Sequence, residues 1–239
     1  MEPVLLYGVP QGCSFGSIVA LEWLAQPYRL CRINMPQDMQ SDLYTQINPV
    51  RETPALLLED GSVLTESAAI LQNIANRGLD HGLGFKQGTR EYDHLNQVIA
   101  FLNTTFFSSF SPLWRAYEME ENPPVQSVLR EVGRQAVAQA HEQLEAALSN
   151  SEWLAGQQKT LADAYFIGLA RWGKYHRVVV PGRYPRLDRL IDRLEADPAV
   201  VFAHAIEDER PATSSGSFLG HVSIDELRRR LTFRKQLLS

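Results

Sequence analysis

The sequence predicts a small α/β domain built on a mixed four-stranded sheet, followed by an all-α helical bundle. Three observations carry this reading. Strand-like apolar runs are confined to the first 78 of the 239 residues. Two of those runs are joined by Asp60-Gly61, a strong signal for a two-residue hairpin turn. Beyond a segment with four glycines in eleven residues (78–88), the apolar pattern becomes almost entirely helical. Hydrophobic residues make up 44% and charged residues 21%, ordinary globular usage that argues against wholesale disorder. A formal net charge of −5 provides no electrostatic footprint for nucleic acid or an anionic membrane. The two cysteines, Cys13 and Cys31, are too few for a disulfide framework or a cysteine-rich zinc site. No basic stretch followed by a long apolar one opens the chain, and no apolar run is long enough to span a membrane. A cytoplasmic protein with reduced thiols is expected.

The elements follow in order. Residues 3–7 (PVLLY) form a short apolar run closed by Gly8 and Pro10, as in a buried strand. From Ser14 the spacing of Ile18, Leu21 and Leu24 turns helical, ending before Pro27. Tyr28–Ile33 alternates as a second strand, and a connecting segment leads to the hairpin ALLLEDGSVLT. A helix from Glu66 to Asn76 has Ala69, Ile70 and Ile74 on one face and Gly78 just past its end. The β-α-β half needs a parallel crossover and the β-β half is antiparallel, so the sheet is mixed. Domain boundaries are expected at 1–78, a linker at 79–88, helices over 89–207 and an extension over 208–239. Helices are predicted at Thr89–Tyr117 with a bend near Pro112, at Pro124–Leu148, at Leu161–Tyr175, at Tyr184–Ala196 and at Pro198–Ile206. In the extension, PATSSGSFLG reads as turns, and IDELRRRLTFRKQLL as a basic amphipathic segment suited to a surface helix, a partner contact or partial disorder.

Three motifs carry chemistry. Gly12-Cys13-Ser14-Phe15-Gly16 lies between a strand and a helix and satisfies the GxSxG pattern of a serine nucleophile elbow. That elbow follows a central strand, whereas this one follows the first, and an all-helical second half cannot complete the required sheet. Position explains the motif better: unpaired N–H groups and the positive dipole end at a helix start stabilise a thiolate. Cys13 can hold such a thiolate, or Cys13 and Ser14 can serve a ligand's thiolate; the plain alternative is that Ser14 caps the helix and Cys13 packs. No second cysteine lies three residues on, so an intramolecular dithiol cycle is excluded. Thr53-Pro54 directly precedes an apolar strand, where a proline demands a sharp turn before pairing begins. Thr65-Glu66-Ser67 opens a helix, where an anion is favoured, and Glu66 with Ser67 suits the head of an amino acid. The six histidines show no metal-ligand spacing, and Gly82-x-Gly84 follows no strand, so neither a metal nor a dinucleotide is expected.

Taken together these motifs resemble the glutathione transferase family over roughly residues 3–207, most densely at TPALLLEDGSVLTESAAILQNIA (53–75) and again at TLADAYFIGLARW (160–172). YGVPQGCSFGSIVAL looks most like the bacterial beta class. The resemblance implies a thioredoxin-like first domain, cis Thr53-Pro54, and a folding role for Thr160 and Asp163 as a buried capping box. It implies glutathione as co-substrate, its γ-glutamyl end on Glu66 and Ser67, its cysteine backbone on Thr53 before Pro54, and its sulfur toward Cys13 and Ser14. Tyr7 stands where tyrosine-type members carry a thiolate-stabilising hydroxyl, and Arg51 and Glu52 flank the ligand. A homodimer that detoxifies hydrophobic electrophiles is the implied whole. One departure stands out: SFSPLW (109–114) is preceded by Phe107-Ser108 where the beta class carries a His-Lys pair. The second-substrate pocket is therefore expected to be apolar, with Phe106, Phe107, Phe110, Trp114 and Trp172 as candidates, about half of them packing. Two other readings keep the fold: a glutathione-dependent thiol-disulfide reductase using Cys13, and a non-catalytic partner-binding protein.

Overall fold

The computed structural model describes residues 2–228. The described residues form two compact units, one made of residues 2–81 together with 197–228, the other of residues 82–196.

In the first unit, β1 (Val4–Val9) is followed by α1 (Phe15–Leu24) and β2 (Tyr28–Asn34), which pairs parallel to β1 with Val4 opposite Arg29. The connecting segment contains a short helix, α2 (Asp42–Ile47), whose start is capped by the Ser41 hydroxyl accepting from the Tyr44 N–H. Then come β3 (Ala55–Leu57), antiparallel to β1, and β4 (Val63–Thr65), antiparallel to β3, joined through Asp60-Gly61 as the sequence predicts. α3 (Ser67–Arg77) completes this stretch. Alternation along β1 sends Val4 and Leu6 to one face, where they meet Cys31, Ile33, Tyr44 and Leu57. α1 is buried on nearly every side, between β1, α3 and a later helix.

The second unit is helical. α4 (Arg90–Phe101) runs through one π-helical stretch (Leu102–Phe106) into α5 (Phe107–Ser109) and α6 (Ser111–Tyr117). The irregularity thus begins ahead of Pro112, which sits within the first turn of α6, where a missing N–H costs no helical bond. α7 (Pro123–Ala147), α8 (Leu161–Tyr175) and α9 (Pro185–Glu195) complete it. α8 is buried along most of its length, and its Thr160–Asp163 capping box is present. The Asp163 carboxylate accepts from the Thr160 N–H at 2.9 Å and the Leu154 N–H at 3.0 Å, satisfying donors that burial would otherwise orphan.

The chain then returns to the first unit. α10 (Pro198–Glu207) packs on α1, and β5 (Phe218–His221) adds a fifth strand in the order β4-β3-β1-β2-β5. The expected four-stranded sheet is therefore corrected to five. β5 lies parallel to β2, pairing Phe218 with Tyr28 and His221 with Leu30. Its four residues include Gly220 at φ 100 and are preceded by serines and a glycine, so the local pattern reads as turns; pairing with the otherwise open edge of β2 makes it a strand. The basic segment predicted from Ile224 onward lies outside the described residues beyond Arg228.

Candidate active site

Register brings three of the sequence motifs to one end of the sheet. β1 pairs with β3 with Leu6 opposite Ala55, so Gly8 runs out beside Thr53. β3 pairs with β4 with Ala55 opposite Thr65, so Pro54 runs out beside Glu66. The approach of Gly8 to Thr53 is close: a Cβ on Gly8 would lie 2.2 Å from the Thr53 Oγ1 and 2.6 Å from the Met35 sulfur, so any larger residue would have to displace both side chains. Gly12 is equally constrained, since a Cβ there would lie 2.2 Å from the Gly8 carbonyl oxygen. These two glycines fold the loop after β1 back on itself and deliver Cys13 to the start of α1.

Cys13 is half-buried at that helix start. Ser14 is fully buried, and its hydroxyl oxygen accepts a 2.9 Å bond from the Gly8 N–H, tying the end of β1 to the start of α1. The bond uses a lone pair of the hydroxyl oxygen.

Thr53-Pro54 is cis, and Thr53 is held between neighbours rather than left as an open loop. The Glu52 carbonyl accepts from the Tyr44 hydroxyl at 2.5 Å and the Asn48 side-chain amide at 2.7 Å, while the Thr53 hydroxyl meets the Met35 sulfur at 3.4 Å. Arg51, at φ 60, makes the reversal before this step and donates to Gln40. Burial, reinforced by repulsion from Glu66, raises the Glu52 carboxyl above its ordinary range, which places the two carboxylates in one electrostatic neighbourhood. Glu66 is exposed at the N-terminus of α3, its side chain making no cap bond, and Ser67 behind it is buried. The arrangement has a cation-accepting carboxylate beside a helix N-terminus that favours an anion, complementary to an amino-acid head group.

Tyr7 is turned elsewhere. It lies on the opposite face of β1 from Gly8, and its hydroxyl shares a 3.1 Å hydrogen bond with the His221 Nε2, contributed by β5. Burial pushes its pKa up, with Arg32 pulling part of the way back.

In the helical unit, Phe106 and Phe110 are fully buried and Trp172 nearly so, and they pack edge-on: Phe106 to Phe110 at 5.5 Å and Phe110 to Trp172 at 5.6 Å between ring centroids. Phe107 and Trp114 are half-buried, each against Trp172 at 5.5 and 5.4 Å. They are the members of the predicted aromatic set that keep partly exposed surface. A cavity of about 640 Å³ nearby is lined by Tyr117, Tyr175 and His176 together with Arg130, Arg134 and Arg177, residues the sequence reading did not select. Sequence reasoning also missed Met35, Tyr44 and Asn48, whose contacts with the 52–53 step depend on where the connecting segment folds. His221 was hidden by the turn-like pattern around it. Among the described residues there is no cluster of three or more metal-ligating side chains, and no helix is long and apolar enough to cross a membrane.

Comparison with known proteins agrees with this architecture. Residues 13–77 match the glutathione S-transferase N-terminal domain and residues 111–198 the glutathione S-transferase C-terminal domain. A glutathione S-transferase of Xanthomonas campestris pv. campestris is 31% identical over 198 residues, covering 83% of this chain and 96% of the relative. One of Escherichia coli O157:H7 is 30% identical over 169 residues, 70% of this chain and 81% of the relative. The solved glutathione S-transferase of Xylella fastidiosa superposes with a TM-score of 0.79 at 28% identity, covering 87% of this chain and 99% of that one. A bacterial beta class transferase from Sphingomonas chungbukensis gives 0.74 at 26% identity over 85% and 98% of the two chains. With the paired domains, the cis Thr53-Pro54 step and the cysteine at the start of α1 in place, the chain belongs to the glutathione S-transferase family.

Proposed function

We propose that the protein transfers the glutathione thiolate to a hydrophobic electrophile, and that it works as a cytoplasmic homodimer in detoxification. The observation that carries the reading is the convergence of Cys13, Thr53-Pro54 and Glu66-Ser67 on one end of the sheet through the β1–β3–β4 register. Glutathione lies extended there: its ammonium faces Glu66, its γ-glutamyl carboxylate meets Ser67 and the start of α3, and its cysteine backbone pairs with Thr53. The sulfur then points at the start of α1, where Cys13, the Ser14 hydroxyl and the helix dipole lower the thiol pKa and raise the thiolate fraction at neutral pH. Tyr7, engaged with His221, has no part in this step.

Kinetics with an aryl halide test this. Cys13→Ala should lower kcat/KM about ten- to a hundredfold, the effect of losing one hydrogen bond to a developing charge. Glu66→Ala should raise KM for glutathione, and Tyr7→Phe should leave conjugation within about twofold of wild type. Full conjugating activity in Cys13→Ala, or failure of the wild type to be retained on immobilised glutathione, would sink the proposal.

The partial exposure of Cys13 favours a second reading. Its thiolate would attack the sulfur of a glutathione mixed disulfide, forming a Cys13–glutathione disulfide and releasing the substrate thiol. A second glutathione thiolate would then attack that disulfide, regenerating Cys13 and leaving as oxidised glutathione. Disulfide reduction lost in Cys13→Ala while conjugation persists would select this reading.

A further inference from the structure

Beside Tyr7, a cavity of about 630 Å³ opens among the end of α10 and the residues after it, β1, β2, β5 and the residues that follow β5. Cys13, Thr53, Glu66 and Ser67 line no part of it. Ala205, Ile206, Val222 and Ile224 supply apolar lining, and Tyr7, only 1% exposed, reaches it with its hydroxyl bonded to His221. Its volume falls in the range of small-molecule sites, and apolar walls around a few convergent polar atoms are the usual composition of such sites.

The charges at its rim are already matched. The Arg32 guanidinium meets the Glu209 carboxylate at 2.9 Å and donates to the Glu207 carbonyl at 3.1 Å, while Arg210 holds Asp208 at 2.9 Å. Burial pushes the Tyr7 phenol up, and burial together with Arg32 pushes His221 down, so both groups are neutral at pH 7. A charged ligand would lose hydration there without gaining a free counter-charge, whereas a neutral one loses little.

We infer that this cavity is a second ligand site, separate from the thiol site, for a neutral, mostly apolar small molecule whose single hydrogen-bonding group, a phenol or an amide, docks at Tyr7 and His221. The site exists because the chain returns after the helical unit: α10, β5 and the residues that follow each of them supply every lining residue except Tyr7 on β1 and Arg32 on β2. It does not rest on the proposed transferase chemistry.

Fluorescence titration of the full chain with 2-naphthol, at saturating S-hexylglutathione, tests the inference. One saturable site per chain is expected, with naphthalene-2-sulfonate binding at least tenfold more weakly. Ile224→Trp and Ala205→Leu, which fill the cavity from different elements, should each weaken naphthol binding more than tenfold. Tyr7→Phe, which preserves ring packing, should weaken it about fivefold, the loss of one neutral hydrogen bond. Absence of saturable binding to the wild type, equal binding of the sulfonate, or affinity unchanged in Tyr7→Phe and in either filling variant would overturn it.

Discussion

At the scale of single residues, the site depends on atoms that are absent as much as on those present. Gly8 has no Cβ because the Thr53 hydroxyl and the Met35 sulfur occupy that space, and this close passage sets β1 beside the cis Thr53-Pro54 step. Gly8→Ala is therefore expected to cost about 1–3 kcal/mol through overpacking and to weaken retention on immobilised glutathione. The shift in the urea midpoint checks the first part, and an unchanged midpoint with normal retention would show that Thr53 and Met35 yield without consequence. The places of Cys13, Thr53, Pro54, Glu66 and Ser67 at helix and strand boundaries were legible in the sequence, because each motif combines such a boundary with a residue type that the boundary favours. Tyr7 was legible as a strand residue but not in its partner. A side chain's neighbour across the sheet depends on which strand fills the edge.

At the scale of elements, the decisive one is β5. Glu22, only 3% exposed on α1, accepts from the Tyr28 hydroxyl at 2.5 Å, the Ser214 hydroxyl at 2.8 Å and the Ser215 N–H at 2.7 Å. One buried carboxylate thus fastens the turn before β5 to both α1 and β2. Removing it leaves buried donors without an acceptor, so Glu22→Ala should destabilise the chain by about 1–3 kcal/mol. Amide hydrogen exchange should accelerate selectively over 215–222. If exchange there stays at the wild-type rate, the strand is held by its ladder bonds and the turn is incidental. The sequence placed α8 from Leu161 to Tyr175 without error, because a strong capping box marks its start and a continuous apolar run its length. It misplaced the irregularity between α4 and α6, since a π-helical stretch has no residue signature comparable to a proline.

At the scale of the whole molecule, stability should respond to acid in a way set by buried titratable groups. His176 lies among Phe110, Trp114, Tyr117 and Tyr175, its Nε2 without a hydrogen-bond partner, and burial lowers its pKa to about 4. The unfolded chain, with its histidine near the ordinary 6.5, therefore binds more protons over the interval between the two values. The stability this group contributes is present above pH 6.5 and is lost as pH falls toward 4. Asp163 acts with the opposite sign, because burial raises its carboxyl from 3.8 to about 6, and its contribution is lost as pH rises through that interval. His176→Phe should consequently flatten the acid side of the stability profile measured by urea unfolding between pH 4 and 6.5; a profile parallel to wild type would refute the assignment.

By itself the sequence determined the classes of element, the hairpin, the long central helix and the helix start at which Cys13 stands. Those features are written in local periodicity, turn chemistry and capping, which act over a few neighbouring residues. Only the tertiary structure decided that the first unit is completed by the chain over 197–228, that the sheet has five strands, and that the Tyr7 hydroxyl bonds to His221 beside a second cavity. The reason is that a sheet edge selects its partner by exposed backbone donors and acceptors rather than by side-chain pattern. A four-residue strand 184 residues beyond β2 leaves no periodicity to read until its partner is in place.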